Sequence, residues 1–142
     1  MIALGCDHGG FPLMKEIITY LGKEKIEFKN FGTFSDSSVD YPEYAKKVAN
    51  AVKDGEAELG ILICGTGIGI SIAANKVPGI RAALCHDCFS AKAAREHNNA
   101  NILAMGARVI GPGLAMEIVR IFLNTPFSQE ERHMRRIKAI ED

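Results

Sequence analysis

The segment Leu59–Cys64 (LGILIC) constrains the fold more than any other stretch of this chain. A nearly all-apolar run without polar alternation does not suit a strand with one wet face. It suits a strand covered on both faces, as at the centre of a parallel sheet. Parallel neighbours need long crossovers, and helices usually supply them. The flanks agree. Residues 65–69 form a glycine loop, and residues 70–76 continue at helical spacing until Pro78-Gly79 stops them.

The same cadence recurs along all 142 residues, and the length fits one domain over 1–142. Residues 1–6 (MIALGC) read as a buried strand. A helix over 11–22 follows, with Leu13, Met14, Ile17, Ile18 and Leu21 at helical spacing and Pro12 in its first turn. Residues 26–30 form a second, more polar strand suited to an edge. The Ser- and Asp-rich loop 32–40 leads into a helix over about 41–54, with Pro42 at its start. Beyond the central strand come a strand at 81–85, an Ala-rich helix over 87–98 and a strand at 101–105. A helix over 114–123 and a charged helix over 128–141 close the chain. Five strand-then-helix units predict an α/β fold, a three-layer, doubly wound, five-stranded parallel sheet. The expected strand order is the Rossmann/flavodoxin-like 2-1-3-4-5, with an extra C-terminal helix free to reach a partner chain.

Seventeen basic residues balance seventeen acidic ones, so no global field favours nucleic acid or an anionic membrane. An anion must instead be caught by a local cluster. No apolar run approaches the roughly 20 residues that span a bilayer. Asp7 and His8 interrupt the opening apolar run too early for a secretory core. The cysteines at 6, 64, 85 and 88 read as reduced thiols of a cytoplasmic protein, because a chain of this size and composition does not need a disulfide scaffold.

In an open α/β sheet, ligands bind beyond the carboxyl ends of the strands. The residues there are Cys6-Asp7-His8-Gly9-Gly10, Cys64-Gly65-Thr66-Gly67-Ile68-Gly69, His86-Asp87 and Gly106-Ala107-Arg108, with His97-Asn98-Asn99 closing the helix after strand four. Reactive side chains are therefore expected to crowd one edge of the sheet, with ordinary linkers such as 23–25 and 54–56 at the other. The loop 64–69 is the sharpest feature. Alternating glycines let backbone N–H groups approach a ligand, and the next helix offers its positive end to an anion. The same amides favour the thiolate of a cysteine placed just before them.

The stretches Cys6-Asp7-His8-Gly9-Gly10-Phe11, Asp40-Tyr41-Pro42, Cys64-Gly65-Thr66-Gly67-Ile68-Gly69, Ile72-Ala73-Ala74-Asn75-Lys76 and His97-Asn98-Asn99-Ala100-Asn101 together resemble the ribose-5-phosphate isomerase B family. That family also includes allose-6-phosphate and galactose-6-phosphate isomerases. The resemblance covers essentially the whole chain and implies an isomerase needing no cofactor and no metal. It would interconvert ribose 5-phosphate and ribulose 5-phosphate, with a six-carbon phosphate as the alternative substrate.

Residue by residue, the resemblance makes Cys64 the base that moves a proton between C2 and C1, with Thr66 near the reacting carbons. The amides of Gly65, Gly67, Ile68 and Gly69 would hold the enediolate oxygen. Another branch of the family has a glutamate where this chain has Ile70, and lacks the cysteine; this chain falls in the cysteine branch. His97 would open the sugar ring by protonating the ring oxygen, and Asp7 would take the anomeric hydroxyl proton. His8, Arg108, Arg132 and Arg136 would bind phosphate, and Asn98 the sugar hydroxyls. The intervening Arg135 is left as a solvated or interface charge. The resemblance further implies a homodimer or dimer of dimers with the site between subunits, and at least one basic group from the partner chain.

Three other readings are weaker. A dinucleotide module would need a third glycine where Ile70 stands, together with a separate substrate domain. Cys85-His86-Asp87-Cys88 has a C-x-x-C spacing but no second pair to complete a zinc tetrahedron. A non-catalytic sugar-phosphate sensor would not need Cys64, Thr66 and His97 together.

Overall fold

The computed structural model describes residues 1–142. The elements alternate along the chain: β1 (Ile2–Cys6), α1 (Phe11–Lys23), β2 (Phe28–Asn30), α2 (Tyr41–Lys53), β3 (Leu59–Cys64), α3 (Ile68–Ala74), β4 (Ala82–Leu84), α4 (Cys88–Glu96), β5 (Ile102–Gly106), α5 (Pro112–Asn124) and α6 (Glu131–Glu141). All strand pairs are parallel, and β3 is buried along nearly its whole length, as its unbroken apolar run requires.

Two apolar layers cover the sheet. On one face α1, α4 and α5 pack through Met14, Ile17, Ala91, Ile118 and Phe122 against Leu4, Ile61, Ile63 and Leu103. On the other, α2 and α3 pack through Val48, Ala49, Ile70 and Ala74 against Ala3, Leu62, Cys64 and Ile102. Successive strand residues face opposite sides. Along β3, Ile61 and Ile63 therefore serve the first layer, while Leu62 and Cys64 serve the second.

The α/β doubly wound class is as expected, but the strand order is 2-1-3-5-4, not the expected 2-1-3-4-5. β5 inserts beside β3, pairing Gly60 with Ile102 through to Cys64 with Gly106, and β4 takes the edge. Burial explains the exchange. All five residues of β5 are buried, whereas β4 has only three residues and leaves Leu84 38% exposed. The short, wetter strand goes outside. The helices still sort by direction. The crossovers that step towards β2 or back from β4 use α1 and α4 on one face, and those that step the other way use α2 and α3 on the opposite face. A single crossover hand demands that arrangement. No helix is long and apolar enough to cross a membrane.

Candidate active site

At the carboxyl edge of the sheet, three chain segments converge on Cys64. The β1–β3 register pairs Cys6 with Ile63, and the Asp7 N–H continues the ladder to Ile63 O at 3.3 Å. One more residue in that register sets Asp7 beside Cys64. On the other flank, β5 sets Gly106 opposite Cys64. Neighbouring strands lie about 4.8 Å apart, so side chains just past their ends share one small space.

Cys64 is only 5% exposed, and its sulfur accepts the Gly67 N–H at 3.1 Å. An amide aimed at sulfur favours its anionic, proton-accepting form. Gly67 achieves this in the left-handed region, at φ +77°, which glycine adopts without strain. A Cβ there would stand 2.7 Å from the Met105 carbonyl carbon and 3.0 Å from Gly106 N. Burial pushes Cys6 up to about 12 and Cys85 up to about 11, and the Cys6 thiol donates weakly to Thr33 O at 3.8 Å.

The exposed Thr66 accepts the Ile68 N–H on its hydroxyl at 3.2 Å. Of the loop amides expected to face an oxyanion, those of Gly67 and Ile68 are therefore engaged within the chain. The N–H groups of Gly65, Thr66 and Gly69 have no acceptor in it. Buried Asp7 accepts the Gly10 N–H on Oδ1 at 3.0 Å, so it steadies the turn into α1 while sitting next to the thiol. A Cβ on Gly9 would be 3.3 Å from both Asp7 Oδ1 and Gly65 N, which shows how tightly the two loops are pressed together.

Beside this centre lies an open cleft of about 740 Å³ lined by His8, Lys15, Arg108 and the start of α5. His8 accepts the Val39 N–H on Nδ1 at 3.2 Å, so a neutral ring carries its proton on Nε2. Arg108 reaches back over the glycine loop, where a Cβ on Gly65 would be 3.0 Å from Nη1. His8 and Arg108 thus supply donors for an anion within reach of the loop.

The remaining predicted residues are elsewhere. α4 begins just past the carboxyl end of β4 and runs antiparallel to the strands, so nine residues at roughly 1.5 Å each carry the chain to the opposite edge of the sheet. His97 and Asn98 therefore do not join Cys64, contrary to the expected crowding of one edge. They are exposed at the amino edge beside α6. The His97 ring stacks on His133 with centroids 4.5 Å apart and planes 14° apart. His133 is buried and its Nε2 has no hydrogen-bond partner. Burial pushes this imidazole below its ordinary value, and the charges of His97, Arg132 and Arg136 push the same way against Glu130. Arg132 and Arg136 thus accompany His97 at the amino edge, Arg132 pairing with Glu130 at 3.0 Å. Arg135 pairs with Glu131 at 2.9 Å on the exposed side of α6.

Three residues that matter here carried no assigned role in the sequence reading. Arg81 donates to Asn98 O at 3.1 Å, Asn99 O at 2.9 Å and Glu141 at 2.7 Å, tying the His97 turn to α6. His133 stacks on His97, and His86 accepts the Gly106 N–H at 2.9 Å. None of these contacts follows from local spacing, since each joins elements that only the tertiary fold brings together. The Cys85/Cys88 pair gathers no third metal-ligating side chain around it.

A thiol held by an amide, next to a carboxylate and a loop with open donors, is equipped to move protons and hold a developing oxyanion, so the fold and site define an α/β protein of the proton-transfer class. The chain belongs to the Ribose/Galactose Isomerase family, whose model matches residues 2–140. It is 50% identical over 139 residues to ribose-5-phosphate isomerase B of Escherichia coli, covering 98% of this chain and 93% of that protein. The structure of ribose-5-phosphate isomerase B from Clostridium thermocellum superposes with a TM-score of 0.97 at 54% identity, covering 99% of this chain and 94% of that one. The enzyme of the same name from Mycoplasma genitalium, solved with bound ribulose-5-phosphate, gives a TM-score of 0.92 at 40% identity, covering 99% of this chain and 93% of that one.

Proposed function

We propose that this protein interconverts ribose 5-phosphate and ribulose 5-phosphate, and that each active site is built from two copies of the chain. The observation that carries the reading is the 3.1 Å bond from Gly67 N–H to Cys64 Sγ, with Asp7 in the adjacent strand register.

The reaction begins with a closed sugar ring. Asp7 takes the proton of the C1 hydroxyl, the bond from C1 to the ring oxygen breaks, and His97 protonates that oxygen, leaving an aldehyde at C1. A neutral-pH imidazole suits the acid step. The Cys64 thiolate then removes the proton from C2, and the electron pair moves to form an enediolate with negative charge on the C1 oxygen. The open amides of Gly65, Thr66 and Gly69 stabilise that charge, where each well-placed donor is typically worth roughly 3 to 4 kcal/mol. The proton of the C2 hydroxyl passes to the C1 oxygen beside Thr66, and the Cys64 thiol returns its proton to C1. The product is the 2-ketose and the thiolate is regenerated, while proton exchange with water returns Asp7 to its carboxylate and His97 to its protonated form.

Phosphate falls to His8 and Arg108 from one copy. His97, Asn98, Arg132 and Arg136 come from the other, because they stand at the opposite edge of the same sheet from Cys64. A two-fold homodimer sets the carboxyl edge of one chain against the amino edge of its mate and makes two identical sites. The exposure of Ile68, Ile72 and Phe89 at 52%, 55% and 81% supports a covered surface near that edge. Four free cysteines fit a reducing cytoplasm.

The test is a coupled kcat/KM comparison on ribose 5-phosphate, allose 6-phosphate and galactose 6-phosphate, with chelator present. Highest efficiency on the pentose supports the proposal. Higher efficiency on a six-carbon phosphate, or binding with no turnover of any of the three, overturns it.

A further inference from the structure

We propose that His86 is a positioning residue for the Cys64 thiol, acting through the end of β5. The inference rests on the isomerase reading above and assigns a role to a histidine that takes no part in the steps described.

β4 is short, and its side of the ladder ends when Cys85 N–H bonds Ala104 O at 3.1 Å. The next β5 donor facing that side is Gly106 N–H, two residues on. No β4 carbonyl meets it. The half-buried His86 ring turns in and accepts it on Nε2 at 2.9 Å. A side chain thus stands where a strand carbonyl would be, and it fixes the tip of β5 after the strand pairing has stopped.

That tip is the floor of the glycine loop. A Cβ on Gly106 would lie 2.5 Å from the Thr66 carbonyl carbon and 2.8 Å from Thr66 Cα, and a Cβ on Gly67 would lie 3.0 Å from Gly106 N. The two backbones are in direct contact. Just past the tip, Ala107 N–H bonds Cys64 O at 2.9 Å and Arg108 N–H bonds Gly65 O at 3.0 Å. Gly106 is therefore held by His86 on one side and carries Thr66 and Gly67 on the other. Gly67 in turn directs its amide at the sulfur. Without the imidazole acceptor, Gly106 N–H becomes an unsatisfied donor beside a packed loop and draws the tip towards water. A shift of well under an ångström at Gly67 suffices to misdirect its N–H from Cys64.

The geometry also fixes the ring's chemistry. An acceptor at Nε2 requires a neutral imidazole with its proton on Nδ1. Glutamine places an oxygen at a comparable reach and leucine fills similar space without an acceptor, so the two substitutions separate the hydrogen bond from the packing.

The experiment measures kcat, KM and the iodoacetamide alkylation rate of Cys64, followed by peptide mass spectrometry, in wild type, His86→Leu and His86→Gln. The expected result is a loss of roughly tenfold or more in kcat for His86→Leu, with KM changed less than about threefold and alkylation several-fold slower, because a sulfur without its amide donor is less often the thiolate. His86→Gln restores most of kcat and the wild-type alkylation rate. Wild-type values for His86→Leu in both assays overturn the proposal, as does His86→Gln damaged as much as His86→Leu. If His86→Leu does not fold, nitrogen NMR of the wild-type imidazole decides: unprotonated Nε2 with protonated Nδ1 supports the role, and the opposite tautomer overturns it. A wild-type protein inactive on all sugar phosphates would refute the isomerase reading while leaving the alkylation and tautomer readouts to judge His86.

Discussion

The imidazoles of His97 and His133 lie nearly parallel, 14° apart in plane and 4.5 Å between centroids, so the last helix holds the exposed ring at the end of α4 from behind. His133 is buried, and burial followed by the nearby positive charge of His97, Arg132 and Arg136 pushes it below its ordinary value of 6.5, with Glu130 opposing. Below that pH an unfolded chain protonates this residue before the folded one does. The unfolded state then binds more protons, so stability falls as pH falls through the window beneath 6.5. The expected outcome is a Tm that drops between about pH 7 and about pH 5.5 in wild type and drops less in His133→Phe, which keeps a stacking ring that cannot titrate. Equal slopes in the two proteins would remove His133 from the account.

Cys64→Ala should reduce kcat by about a thousandfold, the scale of a lost general base. Binding of inorganic phosphate, read as inhibition constant or by calorimetry against the double variant with Arg108→Ala, should change less than about threefold, because the proposed anion site draws on His8 and Arg108 from separate segments. Alkylation data on Cys6 and Cys85 serve as internal controls. Their thiols, pushed up to about 12 and about 11 by burial, should react far more slowly than Cys64 near neutral pH. Substantial turnover by Cys64→Ala would end the assignment.

How much of this was legible in the sequence divides along physical lines. β3 was readable because burial on both faces writes itself as LGILIC, and the glycine loop was readable because close backbone approach admits only small residues. The order of β4 and β5 was not. Both are short apolar runs, and which one lies inside depends on the burial of partners distant in sequence: Leu84 is left 38% exposed and Leu103 fully covered. The placement of His97 failed for a simpler reason. It was counted with the strand ends, although a nine-residue helix had intervened and reversed the chain. His86 and His133 carry no pattern of their own. A histidine that accepts a β5 amide and one that stacks on another ring look, in sequence, like any other histidine.

Gly67→Ala tests the loop directly. The left-handed conformation costs a residue with a Cβ about 1–2 kcal/mol. The new methyl would in addition meet Leu84 Cδ1 at 2.5 Å and the Met105 carbonyl carbon at 2.7 Å, so the backbone must move. Stability should fall by more than the conformational cost alone, measured by urea unfolding, and kcat should fall at least about tenfold as the amide leaves the sulfur. A variant that is destabilised yet keeps wild-type kcat would show that the bond from Gly67 N–H to Cys64 is not used in turnover.

Arg108→Ala should act mainly on KM. A hydrogen bond to a charged group is worth about 1.5–3 kcal/mol, which corresponds to roughly a 10- to 150-fold rise in KM. Arg108→Lys should recover only part of it, since the forked guanidinium both lies over Gly65 and faces the cleft. A KM unchanged in Arg108→Ala would move the phosphate site away from this cleft.

The proposed division of the site between two chains makes the sharpest prediction. Cys64→Ala and His97→Asn homodimers each lack one half of both sites. In a mixed dimer, one site carries both substitutions, while the other combines the intact Cys64 of one chain with the intact His97 of its mate. Random pairing of equal amounts makes half the dimers mixed, each with one working site of two, so remixing should restore about a quarter of wild-type activity on a substrate that needs both groups. The measurement is turnover after the two inactive proteins are unfolded together and refolded, against each refolded alone. No recovery, with mixed dimers confirmed by mass, would mean that Cys64 and His97 never meet in one site. The amino-edge cluster would then need a different role.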